Sequence, residues 1–245
     1  MESRKIDLQK AFEQNLKFIS ATEINVETVE KQFVKTNNRF YLTVGKIDCP
    51  TGRIVVSDPL CYLQAGKYAP MLDVTIPVGI YPVEVAICRN EHVGIRMCTV
   101  RLKITESKAV KYNLAYPTKD TAIAVTKEKV MAGFPVEAGM MSFCDEKVAK
   151  EYQDFVDNFY KVNGSQCNIY DDYFAKKFKE SYEKLPAYQR EEGDFIEWTN
   201  PNSQNKMVMV ASGFGDGFYQ SYWGYDKNNE ICELIVPLIN PDLFE

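Results

Sequence analysis

Histidine is nearly absent from this chain: His92 is the only one. Zinc sites draw several His or Cys ligands from short spacings, and a His-based triad needs a nucleophile motif near its base. His92 stands in a polar turn between two strand-like runs, with no such motif nearby, and reads as surface. There is no Cys-x-x-Cys pair, no Walker A loop and no Gly-x-Gly-x-x-Gly after a strand. Kinase, NTPase, dinucleotide and zinc-protease chemistries therefore drop out. Positive charge is also in short supply, with a net charge of −5. Nucleic-acid binders neutralise phosphates with clustered Lys and Arg, and no basic stripe with interleaved aromatics occurs. Nucleic acid is not an expected partner. No run approaches the roughly 20 apolar residues of a membrane helix, and the first residues lack the apolar heart of a signal peptide. These features lead to the expectation of a cytoplasmic protein without a membrane partner.

What is present is ordinary globular composition, 45% hydrophobic and 26% charged over 245 residues. A chain of that length buries a sizeable core without disulfide or metal. The seven cysteines, at 49, 61, 88, 98, 144, 167 and 232, have no regular spacing. Most sit among apolar neighbours and read as reduced, buried thiols. The 15 Tyr and 14 Phe favour strands and a large core or interface.

Periodicity divides the chain. Ile6, Phe12, Leu16 and Ile19 fall near helical spacing, and Val26, Val29 and Phe33 indicate a further short helical turn. Residues 1–35 are thus a helical N-terminal element. Strands are expected at 40–47, 53–57, 83–89 and 93–104, with weaker ones at 110–116 and 121–125. Two helices follow, at about 146–161 and 170–185, the first capped by Asp145. Tyr170, Phe174, Phe178 and Tyr182 recur every four residues, the stripe of a helix burying one face. Strands return at 206–212, 218–225 and 230–239, the last two joined by a turn at Asp226–Asn229. No composition break separates two domains. The expected fold is one α+β domain over 1–245, with a mostly antiparallel β-sheet or sandwich core.

The chemistry left to the chain is carboxylate chemistry. Asp58, Glu137, Asp145 and Asp216 stand at strand or helix ends beside Gly or Pro. Gathered at one end of a sheet, they would be catalytic candidates: oxygen ligands for Mg²⁺ or Ca²⁺, or an acid–base pair with divergent pKa values. Separations beyond about 10 Å would exclude that shared site. Each also has a structural reading: Asp58 bonding turn amides, Asp145 capping a helix, Asp216 tolerating a tight turn. Gly215, Asp216, Gly217 and Tyr219 are the ligand-binding candidates, because a backbone without Cβ lets a ligand approach closely. No metal is assigned, and no cofactor other than Mg²⁺ or Ca²⁺ enters.

Several segments in order carry a resemblance: Pro50-Thr51-Gly52 through Asp58-Pro59-Leu60, then Ile76-Pro77-Val78-Gly79-Ile80-Tyr81-Pro82-Val83. Pro135-Val136-Glu137-Ala138-Gly139 and Phe143-Cys144-Asp145 follow. Gly215-Asp216-Gly217-Phe218-Tyr219 and Trp223-Gly224-Tyr225 complete the set. Over residues 40–240 the chain resembles the bacterial domain-of-unknown-function family 4241 (DUF4241). That resemblance implies a shared fold and bacterial origin, and no established activity. Glu137 stands where the pattern has Asp, and Gln220-Ser221 stand where it has Pro-Val. Two functional classes remain: a protein- or ligand-binding module, of an immunity or defence type and with a protein partner, or a metal-assisted hydrolase on the four carboxylates. The missing catalytic signatures favour the module.

Overall fold

The computed structural model describes residues 6–63, 69–121 and 131–245. The chain begins with helix α1 (Leu8–Ile19) and the short helix α2 (Val26–Glu30), which runs into a single 3-10 turn at Lys31–Phe33. Asp7 and Asn25 accept the amides of Lys10 and Thr28, so each helix starts on a side-chain cap. The buried face of α1 is Ala11, Asn15 and Ile19, whereas Phe12 and Leu16 stay 41% and 62% exposed. Spacing alone pointed to the larger side chains. The helix is instead docked by Asn15, whose amide donates to the Leu238 carbonyl and accepts from the Asn240 amide.

From Arg39 the side chains alternate, and the chain builds β1 (Arg39–Cys49), β2 (Arg53–Ser57), β3 (Met71–Thr75), β4 (Gly79–Asn90), β5 (Gly94–Lys103) and β6 (Lys111–Leu114). Next come β7 (Phe134–Val136) and β8 (Met140–Asp145), and then helix α3 (Glu146–Asn163). A π turn at Tyr170–Phe174 leads into helix α4 (Ala175–Lys184). The end is β9 (Phe195–Thr199), β10 (Lys206–Ala211), β11 (Gly217–Tyr219), β12 (Tyr222–Tyr225) and β13 (Ile231–Pro237). The weak strand expected at 121–125 falls mostly outside the described residues.

Among the described residues every strand pairing is antiparallel. One sheet has the order β1-β4-β5-β13-β12-β6, a second β3-β2-β8-β10-β9, and β7 with β11 forms a separate ribbon. The α+β, β-rich fold expected from the sequence is therefore the fold observed. Two details differ. A single strand expected at 218–225 is broken at Gln220-Ser221, and its halves join different sheets, β11 pairing β7 and β12 pairing β13. Strand β9 was not anticipated, because Phe195-Ile196-Glu197-Trp198 is a short run between long polar loops.

The two sheets meet where β1 lies against β8, β9 and β10. Gly45 permits this approach. A Cβ there would stand 2.8 Å from the Glu197 Cβ and 3.0 Å from a Val208 methyl, and the β1–β4 register shifts at the same point. Residues 54–57 of β2 and all of β8 are buried, including Ser57, Ser142 and Asp145, as befits strands covered on both faces. Helix α3 covers β2 and β8, and its Tyr152 meets the buried Trp198 of β9 edge-on at 5.3 Å. The N-terminal element is fastened to the first sheet by Arg101 of β5. Its guanidinium donates to Glu84 at 2.6 and 3.0 Å and to Glu30 at 3.4 Å, and lies 3.6 Å over the Phe33 ring. No described helix is long and apolar enough to cross a membrane.

Candidate functional site

The four carboxylates were the sequence's chief candidates, and the fold treats them differently. Asp58 follows β2 and is completely buried. One carboxylate oxygen accepts the amides of Leu60 and Cys61 at 2.8 and 3.1 Å, and the other accepts those of Glu137 and Ala138 at 2.9 and 2.7 Å. A buried charge is tolerable when charge-assisted hydrogen bonds replace its water, and four backbone donors do so here. Asp58 therefore clamps the turn after β2 to the turn between β7 and β8.

Asp145 is equally buried and equally occupied. One oxygen caps α3 through the Lys147 amide, while the other accepts the Thr51 amide at 2.9 Å, the Thr51 hydroxyl at 2.8 Å and the Cys49 thiol at 3.3 Å. Burial and this carboxylate push the Cys49 thiol up to about 12, keeping it a protonated donor. In the β2–β8 pairing Asp145 lies opposite Ile54, whereas Asp58 stands one residue beyond Ser57. Four residues of strand separate their backbone positions by roughly 13 Å along the sheet. The shared four-carboxylate centre does not form, and among the described residues no group of three His, Cys, Asp or Glu side chains is placed to hold a metal. The Mg²⁺ or Ca²⁺ expectation, which depended on that cluster, loses its basis.

Three of the candidates do converge. Asp58, Glu137 and Asp216 all act on Cys61, whose thiol is raised to about 11 by burial first and by these charges after it. Glu137 and Asp216 are exposed. The Tyr62 phenol donates to Glu137 and is thereby held at about 12.

The Gly-rich turn Gly213–Gly217 is organised from beneath by Tyr219. This side chain is buried, and its hydroxyl lies 2.7 Å from the Ser212 carbonyl and 2.8 Å from that of Gly215. The Ser212 hydroxyl donates to the same Gly215 carbonyl at 2.8 Å. Tyr219 thus shapes the turn with its polar end. Gly215 has φ +105° and no heavy atom within 4 Å of where a Cβ would project, so the backbone here borders open space.

That space is a recess of about 630 Å³. Its wall is made of the turn after β2 (Leu60, Cys61), the turn before β8 (Ala138, Gly139) and the Gly-rich turn (Gly213, Gly215). These belong to three of the segments that carried the family resemblance, and Asp58 binds the first two together. Of the ligand-binding candidates only Gly215 lines the recess; Asp216, Gly217 and Tyr219 stand beside or beneath it.

The remainder of the lining was not anticipated. Tyr160 from α3, Tyr170 from the π turn and Phe214 supply aromatic surface, while Arg96 of β5 and Arg190 supply cations. Arg190 is neutralised by buried Asp194, at 2.6 and 2.8 Å. Arg96 differs. Its Nη1 donates to the neighbouring Ile95 carbonyl at 2.9 Å, its Nε is buried without a partner, and no described carboxylate lies within ion-pair distance. Burial first, then the charge of Arg190, push it below the ordinary arginine value. An arginine inside the apolar run Ile95 to Val100 was the one sequence signal that could have marked it.

Fold and recess together define a two-sheet α+β protein with a preformed hollow between sheet ends and helices. The family described as "Protein of unknown function (DUF4241)" matches residues 47–236, and the chain belongs to that family. No curated protein and no solved structure matches it.

Proposed function

We propose that this protein is a small-molecule-binding module and that the recess beside Gly215 is its binding site. The observation that carries this reading is the recess itself. At about 630 Å³ it falls within the roughly 300–1,000 Å³ of ligand pockets, and its lining combines apolar and aromatic side chains with charged and polar groups suited to orienting a ligand. Asp58 supports the same reading, because four amides held by one buried carboxylate fix two of the three wall turns before any ligand arrives. Preorganisation of that kind lowers the cost of binding. Asp58 acts here as a builder of the wall.

The reading is tested by thermal-shift screening of a metabolite library against the wild type and Ala138→Trp. Ala138 lines the recess with a partly exposed side chain, so an indole there fills the space. Compounds that raise the melting temperature of the wild type and leave the variant unmoved are the expected result. A library that stabilises neither protein, or both equally, would overturn it.

A further inference from the structure

Resting on the binding reading above, we infer that the ligand carries an anionic group, a carboxylate or a phosphate, joined to a flat apolar body, and that Arg96 is the residue that receives the anion. The argument begins with charge. Arg96 is half-buried in the wall of the recess and has no carboxylate within ion-pair distance among the described residues. Other partly buried cations of the chain are answered: Arg39 by Asp242 and Glu245, Arg101 by Glu84 and Glu30. A guanidinium withdrawn from water without a counter-ion is unfavourable, and it presents a planar fork of donors suited to carboxylate or phosphate oxygens. Only one of its nitrogens, Nη1, has a described protein acceptor.

The second cation does not compete for this role, because Asp194 pairs directly with Arg190; the charge of Asp194 reaches Arg96 only at a longer range than an ion pair. Glu191 and Glu192 line the recess and Glu137 and Asp216 stand beside it, but all four are exposed. Water and salt screen exposed charges far more than buried ones, so the inner cation sets the preference. The flat body follows from the other walls. The Arg96 guanidinium lies 6.0 Å from the Phe214 ring centre, and Tyr160, Tyr170 and Phe214 offer ring surface around it. Aromatic faces of that kind favour a stacked ring.

Calorimetric titration with four probes that share a phenyl ring and differ in the charge of its substituent decides the matter: phenylacetate, phenyl phosphate, benzyl alcohol and benzylamine. The expected result is that at least one anion binds the wild type about tenfold or more tightly than benzyl alcohol, while benzylamine binds more weakly still. The tighter of the two anions identifies the group as carboxylate or phosphate. Arg96→Met should bring the anion down to the affinity of the alcohol, and Arg96→Lys should retain part of the preference. Far-ultraviolet and near-ultraviolet circular dichroism verify that both variants fold; should Arg96→Met fail to do so, Arg96→Lys and the wild-type ranking carry the test. If benzyl alcohol binds the wild type, is lost in Ala138→Trp and is not surpassed by either anion, the inference about Arg96 is wrong and the binding reading stands. If none of the four binds at millimolar concentration, both fall.

Discussion

Replacing Asp58 with Asn is the most informative single change. The side chain keeps its shape and one carbonyl oxygen, so a contact that needed only a polar acceptor would survive. At Asp58, however, each of the two carboxylate oxygens accepts two backbone amides. An Asn carbonyl can serve one pair, and its NH₂ then points at the other pair, donor against donor. Hydrogen bonds to charged groups contribute roughly 1.5–3 kcal/mol each. Losing two therefore costs about 3–6 kcal/mol, from which the relief of no longer burying a charge must be subtracted. A net loss of about 3 kcal/mol is expected, close to that of Asp58→Ala, in which all four amides lose their acceptor but none meets a repelling donor. Urea unfolding at neutral pH measures it, through a lower midpoint at unchanged slope. The recess should loosen in the same variant, since the turns at Leu60 and Ala138 lose their common anchor. A value for Asp58→Asn within about 0.5 kcal/mol of wild type, the usual range for unimportant surface sites, would show that the four-donor clamp does not bear on stability.

Gly45→Val should destabilise by about 1–3 kcal/mol through overpacking, because the added Cβ meets Glu197 and Val208 where β1 crosses the second sheet; thermal unfolding will register it. Arg101→Met should cost about 3 kcal/mol at neutral pH, in the manner of a broken buried pair, and α2 should exchange its amides faster, since Glu30 and Phe33 lose their anchor. Glu233, buried beside Tyr112 at 2.5 Å, has its carboxyl raised above the ordinary value, chiefly by burial. A raised folded pKa means stability that is fully present below the unfolded value and lost as pH rises through the folded one. Glu233→Gln should therefore gain on the wild type as pH is raised from the acid side, and a melting-temperature difference independent of pH would refute that assignment. A brief iodoacetamide pulse on the native protein should modify Cys167 before Cys49, which is buried and held protonated beside Asp145, with peptide mass spectrometry as the readout.

Sequence periodicity located most elements because the burial pattern imposes it. The helix expected at 146–161 is α3 (Glu146–Asn163), started on Asp145 as its cap should be. The aromatic stripe at 170–185 does bury Phe174 and Phe178 completely, although its first turn is a π turn that leaves Tyr170 free to line the recess. The turn with Asn in left-handed geometry is present, at Asn229 with φ 61°. What the chain concealed depends on pairing at a distance. Nothing local distinguishes Phe218-Tyr219 from Tyr222-Trp223, yet they serve different sheets. Likewise, Arg96 stands out inside the apolar run Ile95 to Val100, but nothing local says that it will face a hollow with no described carboxylate in ion-pair distance. For Asp58 and Asp145 the structural readings hold, turn amides for the first and a helix cap for the second, while the amides that reach them from distant segments are not visible in any side-chain pattern.

That last point bears on how such sites should be reasoned about. An acidic residue at a strand end has two ways to be stable when buried: neutralisation by a cation, as in a metal site, or neutralisation by convergent N–H dipoles. The second uses up the oxygens that the first requires. Asp58 and Asp145 have both taken the second course, with four and two backbone amides respectively, the latter joined by a hydroxyl and a thiol. Their negative charge is consumed in holding turns, so it cannot also organise an inner ligand. The groups still able to meet a ligand are those whose hydrogen-bonding capacity the fold has not used, and within the recess the clearest of these is cationic, Arg96. If Asp58→Asn and Arg96→Met are compared by stability and by probe binding, the two roles should separate: the aspartate variant should lose both, while the arginine variant should keep its stability and lose only the preference for anions. An Arg96→Met protein as unstable as Asp58→Asn would mean that the arginine, too, belongs to the framework.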